Sequence, residues 1–246
     1  MKINNSYEDS KRASAYARLE FPGTYYLAYR DLPQIISEHV GGNRAIDFGC
    51  GTGRSTRFLQ QQGFETVGID ISAEMIRQAR QFDGGGDYRL VENGVFHQLE
   101  DESFDLVLSA FTFDNIAEPE MKIKNLIALG KKLKPGGIMV NLVSAPEMYT
   151  HEWASFSTQD FPENNQAGSG DKVKIIITDI NDTRPVVDTV WTDADYREMY
   201  KQSSFEILKT YKPLADKNDG YNWINETTTA PWVIYCLGRA AGRCTQ

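Results

Sequence analysis

The sequence predicts an α/β fold as one domain: a seven-stranded, mostly parallel sheet with helices on both faces, an N-terminal helical cap and an inserted β-hairpin or lid. Three observations predict it. From Arg44 to about Val143, short apolar runs alternate with longer segments of helical period, the pattern of βαβ units. A glycine-rich turn, FGCGTG, closes the first of those runs. Two apolar runs near the C-terminus, FEILKTYKP and PWVIYCLG, supply the last strands and are close enough in sequence to lie antiparallel across the loop 213–230.

The elements follow in order. Residues 1–40 read as the helical cap. The strands of the core, 41–144, are RAIDF (44–48), ETVGID (65–70), DYRLVE (87–92), FDLVLSA (104–110) and GIMVNLV (137–143). Helices are expected to start near Thr52, Ser72 and Pro119; Ser72 suits an N-cap and Pro119 a first helical turn. The third of these helices carries Ile123, Leu126, Ile127 and Leu133 on one stripe and stops at KLKPGG, where lysines favour the C-terminal dipole and Pro135 forbids continuation. Beyond it, 145–191 reads as a lid and hairpin. Its stretch rich in Ser, Asn, Gln and Gly, about 155–171, is expected to be a surface loop, and KVKIIITDI and PVVDTVW form strands turning at NDTR. In 192–246, TDADYREMYKQ is a short helix with Thr192 and Asp195 as a capping box, followed by the last two strands.

Composition narrows the function. A 246-residue chain with a net charge of −8 is a poor partner for nucleic acid, which needs clustered Lys and Arg. The polar N-terminus MKINNSYEDSKR lacks the apolar core of a signal peptide, and no apolar run is long enough to span a bilayer. A cytoplasmic protein without membrane partners, monomer or homodimer, is expected. Cys50, Cys236 and Cys244 have no metal-ligand spacing, so neither a disulfide framework nor a metal is expected.

The glycines carry the first chemical signal. A dinucleotide fingerprint needs GxGxxG, but here Gly49, Gly51 and Gly53 alternate and Arg54 stands where the third glycine of that pattern belongs. A nicotinamide-dependent oxidoreductase is therefore disfavoured. Glycines at such a turn permit strained φ and let a ligand approach the backbone without meeting a Cβ. Asp47 precedes the turn and Asp70 ends the next strand.

DFGCGTG resembles the first motif of the class I S-adenosylmethionine-dependent methyltransferases of small-molecule type, and GIDIS resembles the second. ESFDLVLSA and LKPGGIMV resemble the fourth strand and the run into the fifth. The resemblance covers roughly residues 40–145 closely and the last two strands by order alone. It implies S-adenosyl-L-methionine as cofactor, with S-adenosyl-L-homocysteine as product, and a class I methyltransferase fold. It places Asp47, Gly49, Cys50, Gly51, Gly53, Asp70, Ile71, Asn93, Gly94, Ser109 and Tyr16 at the cofactor. The turn amides and the following helix N-terminus would receive the methionine carboxylate, much as such termini receive phosphates. Asp70 would accept from both ribose hydroxyls, the competing role being a helix N-cap. Asp47 would orient the turn or meet the methionine amine, or else serve as a structural acid. Asn93 stands where the family usually has Asp at the adenine, with Glu92 as the neighbouring candidate.

Transfer from a sulfonium is an in-line displacement with a neutral leaving group, so alignment matters most. A base helps a hydroxyl or protonated amine; Asp114 and His151 are the candidates chosen, with Glu152 and His97 beside them. SAFTFDNI (109–116) lacks the N/D-P-P-Y/F motif of methyltransferases acting on adenine or glutamine amides. Phe111 and Phe113 either line an organic pocket or pack the core. Tyr7 and Tyr16 can cover the sulfonium or the substrate by cation-π attraction, whereas Tyr25, Tyr26 and Tyr29 read as packing. Trp191, Tyr221 and Trp223 can complete aromatic walls suited to a planar acceptor, and Trp232 reads as core. The function expected is methyl transfer to a small organic, planar or aromatic, acceptor at nitrogen or oxygen. The alternatives are a cofactor-binding regulatory protein without catalysis and a protein-substrate methyltransferase.

Overall fold

The computed structural model describes residues 21–240. Among the described residues, helices α1 (Thr24–Arg30) and α2 (Leu32–His39) precede the sheet. The alternation follows as β1 (Arg44–Phe48), α3 (Arg54–Gln61), β2 (Glu65–Asp70), α4 (Ala73–Phe82), β3 (Asp87–Leu90), β4 (Phe104–Ala110), α5 (Pro119–Lys132) and β5 (Leu133–Ser144). Then come β6 (Phe156–Ser157), β7 (Lys172–Ile177), β8 (Val186–Thr189), α6 (Asp193–Gln202), β9 (Phe205–Tyr211) and β10 (Trp232–Arg239).

The main sheet has seven strands in the order β3-β2-β1-β4-β5-β10-β9. The first five pair in parallel; β10 runs antiparallel to both β5 and β9. Parallel strands are covered on both faces and read as near-continuous apolar runs, which is why RAIDF and FDLVLSA showed so clearly. Side chains alternate between the two cores. Leu106, Leu108, Val140 and Leu142 pack with α1, α2 and Phe58 and Leu59 of α3. Val107, Met139 and Val143 pack with Leu126 and Leu129 of α5 and with Tyr196, Met199 and Tyr200 of α6.

Local chemistry sets the helix ends. Ser72 caps α4 by accepting from Met75 N at 3.3 Å, and both halves of the Thr192–Asp195 capping box close on α6. α5 opens on Pro119 and ends with Lys131 and Lys132 in its last turn. α3 starts at Arg54 rather than near Thr52, because Gly53 takes φ 83° as N-cap and leaves Thr52 in the turn. β3 stops at Leu90, two residues short of expectation, since Glu92 leaves the ladder to bridge Val95. β5 begins four residues early, at Leu133, which pairs with Phe104 before a register shift.

The segment expected to be a surface loop, 155–171, is anchored. It holds β6 and a 3-10 turn, Pro162–Gln166, whose Asn164 is buried and donates to the carbonyls of Tyr149 and Lys174 at 2.9 and 2.8 Å. β6, β7 and β8 form a three-stranded antiparallel sheet. Its apolar face, Val173, Ile175, Ile177 and Val186, packs into the same core as α1 and Trp232. A polar sequence thus conceals a packed element, because one Asn side chain satisfies the backbone that burial would otherwise orphan.

Candidate active site

The glycine turn joins β1 to α3. Gly49, Gly51 and Gly53 all take left-handed φ, at 72°, 53° and 83°, which side chains with a Cβ adopt at a cost. They differ in what a Cβ would meet. At Gly49 it would strike the Thr112 side chain at 2.2 Å, and at Gly53 the Tyr88 hydroxyl at 2.5 Å; at Gly51 nothing lies within 4 Å. Gly51 alone of the three leaves open space for a ligand.

The amides of Gly49 and Cys50 donate to Ile69 O, and that of Gly51 donates to Asp70 Oδ2 at 2.9 Å. The turn's own amides are therefore largely spoken for, and the α3 N-terminus stands as the anion-facing end. Cys50 points its thiol inward, beside Ile76, Ala79 and Tyr88, so only its backbone belongs to the cradle.

Asp70 does not cap a helix, since Ser72 has that role. Its carboxylate holds the two loops together, Oδ1 accepting from Ser72 N at 2.8 Å and Oδ2 from Gly51 N. Each oxygen keeps a further lone pair for a ligand hydroxyl, and burial raises the carboxyl's pKa. Ile71 follows with 43% of its surface exposed, an apolar face beside the cradle. Gly94 N donates to Asn125 Oδ1 at 2.7 Å, and Asn125 Nδ2 approaches Asn93 Oδ1 at 3.5 Å. The loop 93–94 is thus pinned to α5.

Asp47 is fully buried. Its Oδ2 accepts from Ser55 Oγ and Thr56 Oγ1 at 2.7 and 2.6 Å, hydroxyls of α3 rather than backbone amides. Its Oδ1 is buried with no hydrogen-bond partner, an orphaned acceptor of the kind a ligand amine satisfies. An open Cβ position at Gly51, the lone pairs of Asp70 and the orphan oxygen of Asp47 together fit S-adenosylmethionine. Ser109 is different. It lies inside the sheet, between Phe48 and Asn141 in register, with its Oγ buried and unpartnered.

A second feature opens at the C-terminal ends of β4 and β5. A cavity of about 410 Å³, counting its open mouth, is lined by Tyr25, Phe111, Phe156 and Trp232, by Met148, Ile175, Ile177 and Val186, and by Asp114, Ser144, Tyr149 and Asp188 among others. Phe111 takes φ 63°, a strained backbone for a residue of its bulk. Its amide donates to Leu142 O at 2.9 Å, and its ring sits 4.7 Å from that of Trp232 and 5.8 Å from that of Tyr25. Tyr25 and Trp232, expected as packing, are both core and wall.

Asp114 is 5% exposed. Its Oδ2 accepts from Ser144 N and Ser144 Oγ at 3.0 and 2.8 Å, while Tyr196 OH donates to Oδ1 at 3.5 Å. Tyr149 OH donates to Asp188 Oδ2 at 3.2 Å. Buried Lys122 donates to the Phe113 carbonyl and lies 5.4 Å from the centres of the Tyr196 and Trp191 rings. Burial lowers this lysine to about 8. Burial also pushes the carboxyls of Asp47 and Asp114 up to about 6; Asp188 rises to about 7, from burial first and the Asp114 charge second.

These three acids hold their protons more tightly folded than unfolded. Their stabilising contribution is whole below the ordinary value of 3.8 and is lost as pH rises through 6 to 7. Thermal melts at about pH 5 and about pH 7.5 should show Asp114→Asn losing less stability over that interval than the parent chain. Parallel losses would refute the assignment.

Several predicted residues lie elsewhere. Phe113 is fully buried in the opposite core, its ring 5.6 Å from that of Phe48; after the turn at Phe111 the chain passes to the other face of the sheet. His151 sits on a turn with Nδ1 near Thr150 Oγ1 and Glu147 O, outside the cavity lining. Trp191 packs toward Lys122 with its Nε1 buried and unpartnered. Tyr221 and Trp223, in the loop before β10, meet as tilted rings at 4.9 Å, and Tyr221 meets Tyr26 of α1 likewise at 5.2 Å; they do not line the cavity. Glu92 and His97 are exposed, and Glu152 is tied to Thr158. Tyr7 and Tyr16 lie outside the described residues. Asp188, Tyr149 and Ser144 were missed. Only Asp188 carried a sequence signal, as an acid within the apolar run PVVDTVW.

A parallel sheet whose added strand enters antiparallel, with a glycine cradle at the end of β1 and an acid at the end of β2, defines the class I methyltransferase fold. The comparisons agree. Residues 46–141 match a family described as a methyltransferase domain. The chain is 36% identical over 106 residues to the cypemycin N-terminal methyltransferase of a Streptomyces species, covering 42% of this chain and 43% of that protein. It is 35% identical over 103 residues to the demethylmenaquinone methyltransferase of Clavibacter sepedonicus, covering 41% of each. The matched region thus spans under half the length of these curated relatives. Among solved structures, the CcbJ methyltransferase of Streptomyces caelestis shares the fold with a TM-score of 0.64 at 14% identity, over 93% of this chain and 96% of that one. Residues 46–141 are thus similar to a methyltransferase domain, and the whole chain shares the fold of the S-adenosylmethionine-dependent methyltransferases. Among its described residues, no helix is long and apolar enough to cross a membrane.

Proposed function

We propose that this protein transfers a methyl group from S-adenosylmethionine to a small organic acceptor, planar or aromatic in shape, at nitrogen or oxygen. The observation that carries the cofactor half is the open Cβ position at Gly51, flanked by Asp70 and the orphan oxygen of Asp47. Asp70 would accept from the ribose hydroxyls, the α3 N-terminus would face the methionine carboxylate, and the loop 93–94 with Ile71 would receive the adenine. The bound cofactor supplies an electrophilic methyl on a sulfonium. The acceptor half rests on the aromatic cavity at the ends of β4 and β5, where open α/β sheets bind ligands. There Asp114, fixed by Ser144, stands on the cavity wall as an acid that can orient the acceptor. The names of the relatives point to unlike acceptors, an N-terminus in one and demethylmenaquinone in the other, so the cavity alone supports the acceptor half.

Calorimetry with S-adenosylhomocysteine tests the reading. The parent chain should bind it, and Gly51→Ala should fold with a loss of about 1 kcal/mol for its positive φ yet bind at least about tenfold more weakly, because the new Cβ occupies the ligand's approach. Absence of binding by the folded parent chain, or unaltered affinity in the variant, would overturn it. Transfer of a labelled methyl group to an aromatic amine or phenol would complete the case.

A further inference from the structure

The cavity beside β4 has a charge pattern that the cofactor does not account for. Asp114 reaches it from the 3-10 turn Phe113–Asn115, and Asp188 reaches it from β8, an element of the inserted sheet. The charged and titratable groups around the pair can be traced by element. Lys122, from α5, is fully buried and absent from the lining; it touches Tyr196, whose hydroxyl reaches Asp114. Lys172, from β7, gives its ammonium to Thr189 Oγ1 at 3.1 Å. Tyr149 and Tyr196 contribute neutral hydroxyls, Tyr149 to Asp188 and Tyr196 to Asp114. Two carboxylates therefore face the cavity, with a single buried lysine behind them. The same lining holds the rings of Tyr25, Phe111, Phe156 and Trp232, packed on one another at centroid distances of 4.7 to 6.1 Å, and the Arg54 guanidinium lies 5.0 Å from the Tyr25 ring centre.

We infer that the acceptor of this methyltransferase carries a cationic amine, seated between the carboxylates of Asp114 and Asp188 and the aromatic faces of Tyr25, Phe111, Phe156 and Trp232. The inference rests on the methyltransferase reading above and narrows it to nitrogen. A carboxylate or phenolate placed here would meet two like charges. A neutral alcohol would bring no charge to the pair, which could then relieve its burial only by holding a proton. An ammonium meets both needs, donating to the carboxylates while its charge lies against ring faces. Asp188, which keeps contact with the cavity and spends one oxygen on Tyr149, is the proton acceptor. The ammonium gives one proton to its carboxylate; the freed lone pair forms the nitrogen–carbon bond as the carbon–sulfur bond breaks and its electron pair stays on sulfur. A methylated ammonium and a neutral thioether result, and Asp188 returns its proton to water.

The test uses the full chain and the fluorescence of its tryptophans, one of which, Trp232, walls the cavity. Phenyltrimethylammonium is titrated against its neutral isostere tert-butylbenzene and against benzoate. The cation should bind at least about tenfold more tightly than the isostere, with benzoate weakest. Asp188→Asn, which removes charge while keeping shape, should reduce that preference to below about threefold, and Asp114→Asn should reduce it in part. Equal affinity for cation and isostere, or a preference that survives in a folded Asp188→Asn chain, would overturn the inference. Calorimetry with S-adenosylhomocysteine on the same sample separates the two claims. Cofactor binding without cation preference removes the amine and leaves the methyltransferase reading; cation preference without cofactor binding does the reverse for the site.

Discussion

Asp70→Ala is expected to lower affinity for S-adenosylhomocysteine by about 100-fold or more. Hydrogen bonds to a charged acceptor are worth roughly 1.5 to 3 kcal/mol each, and the ribose offers two hydroxyls to one carboxylate. The same carboxylate also holds Gly51 N and Ser72 N, so the variant loses contact with the ligand and loosens the cradle that receives it. Asp70→Asn separates these effects. Its single carbonyl oxygen can keep one loop amide but cannot accept from both loops and both hydroxyls, so it should fall between parent and alanine. The fold should persist, because Asp70 lies at the edge of the cleft and β2 is held by five pairs to β1. Calorimetry on chains shown to be folded by circular dichroism decides the matter; an alanine variant with affinity within about threefold of the parent would exclude Asp70 from ribose binding.

A second large effect is expected far from the chemistry. Glu226→Ala should cost about 4 kcal/mol of unfolding free energy, a value typical of breaking a buried charge network. Glu226 is fully buried in the loop before β10 and accepts from Thr24 Oγ1 and Ala154 N at 2.7 Å, and from Ile224 N and Asn225 N at 2.8 and 3.1 Å. One carboxylate thereby gathers the start of α1, the segment leading into β6, and its own loop. Alanine would leave three backbone amides and a hydroxyl buried and unpaired. Denaturant unfolding should show the loss, whereas Glu38→Ala, on the exposed face of α2, should leave stability nearly unchanged. A loss below about 1 kcal/mol at Glu226 would mean that water replaces the carboxylate without penalty.

What the sequence disclosed depended on how local its signals were. The glycine turn, Asp70 and the capping box at Thr192 are written within a few consecutive residues, so their geometry follows from short-range rules. The parallel strands were legible because burial on both faces writes them as short apolar runs between turns. The cavity at the ends of β4 and β5 was not. Asp188, Phe156 and Trp232 come from segments far apart in the chain, and each alone looks like an ordinary strand residue. Phe111 and Phe113 could not be told apart by spacing; the positive φ at Phe111 sends one ring to the cavity and the other to the opposite core. Asn164 hid the packed character of 155–171, since its sequence neighbourhood is polar and its partners, Tyr149 and Lys174, are ten or more residues away.

Because Tyr25, Phe156 and Trp232 serve at once as cavity wall and as core, the cavity cannot be reshaped cheaply. Enlarging it by truncating a wall residue removes packing from the junction of the two sheets, where losses of roughly 3 to 5 kcal/mol per aromatic ring are typical. Against the roughly 5 to 15 kcal/mol by which a domain is usually stable, such a change would consume a large part of the margin. Under the proposed function, what the cavity accepts should therefore change through Asp188 and the exposed strand positions around it, where substitution leaves the core intact, rather than through the rings. Descendants with altered substrates are expected to keep their aromatic frame and to differ in its charges.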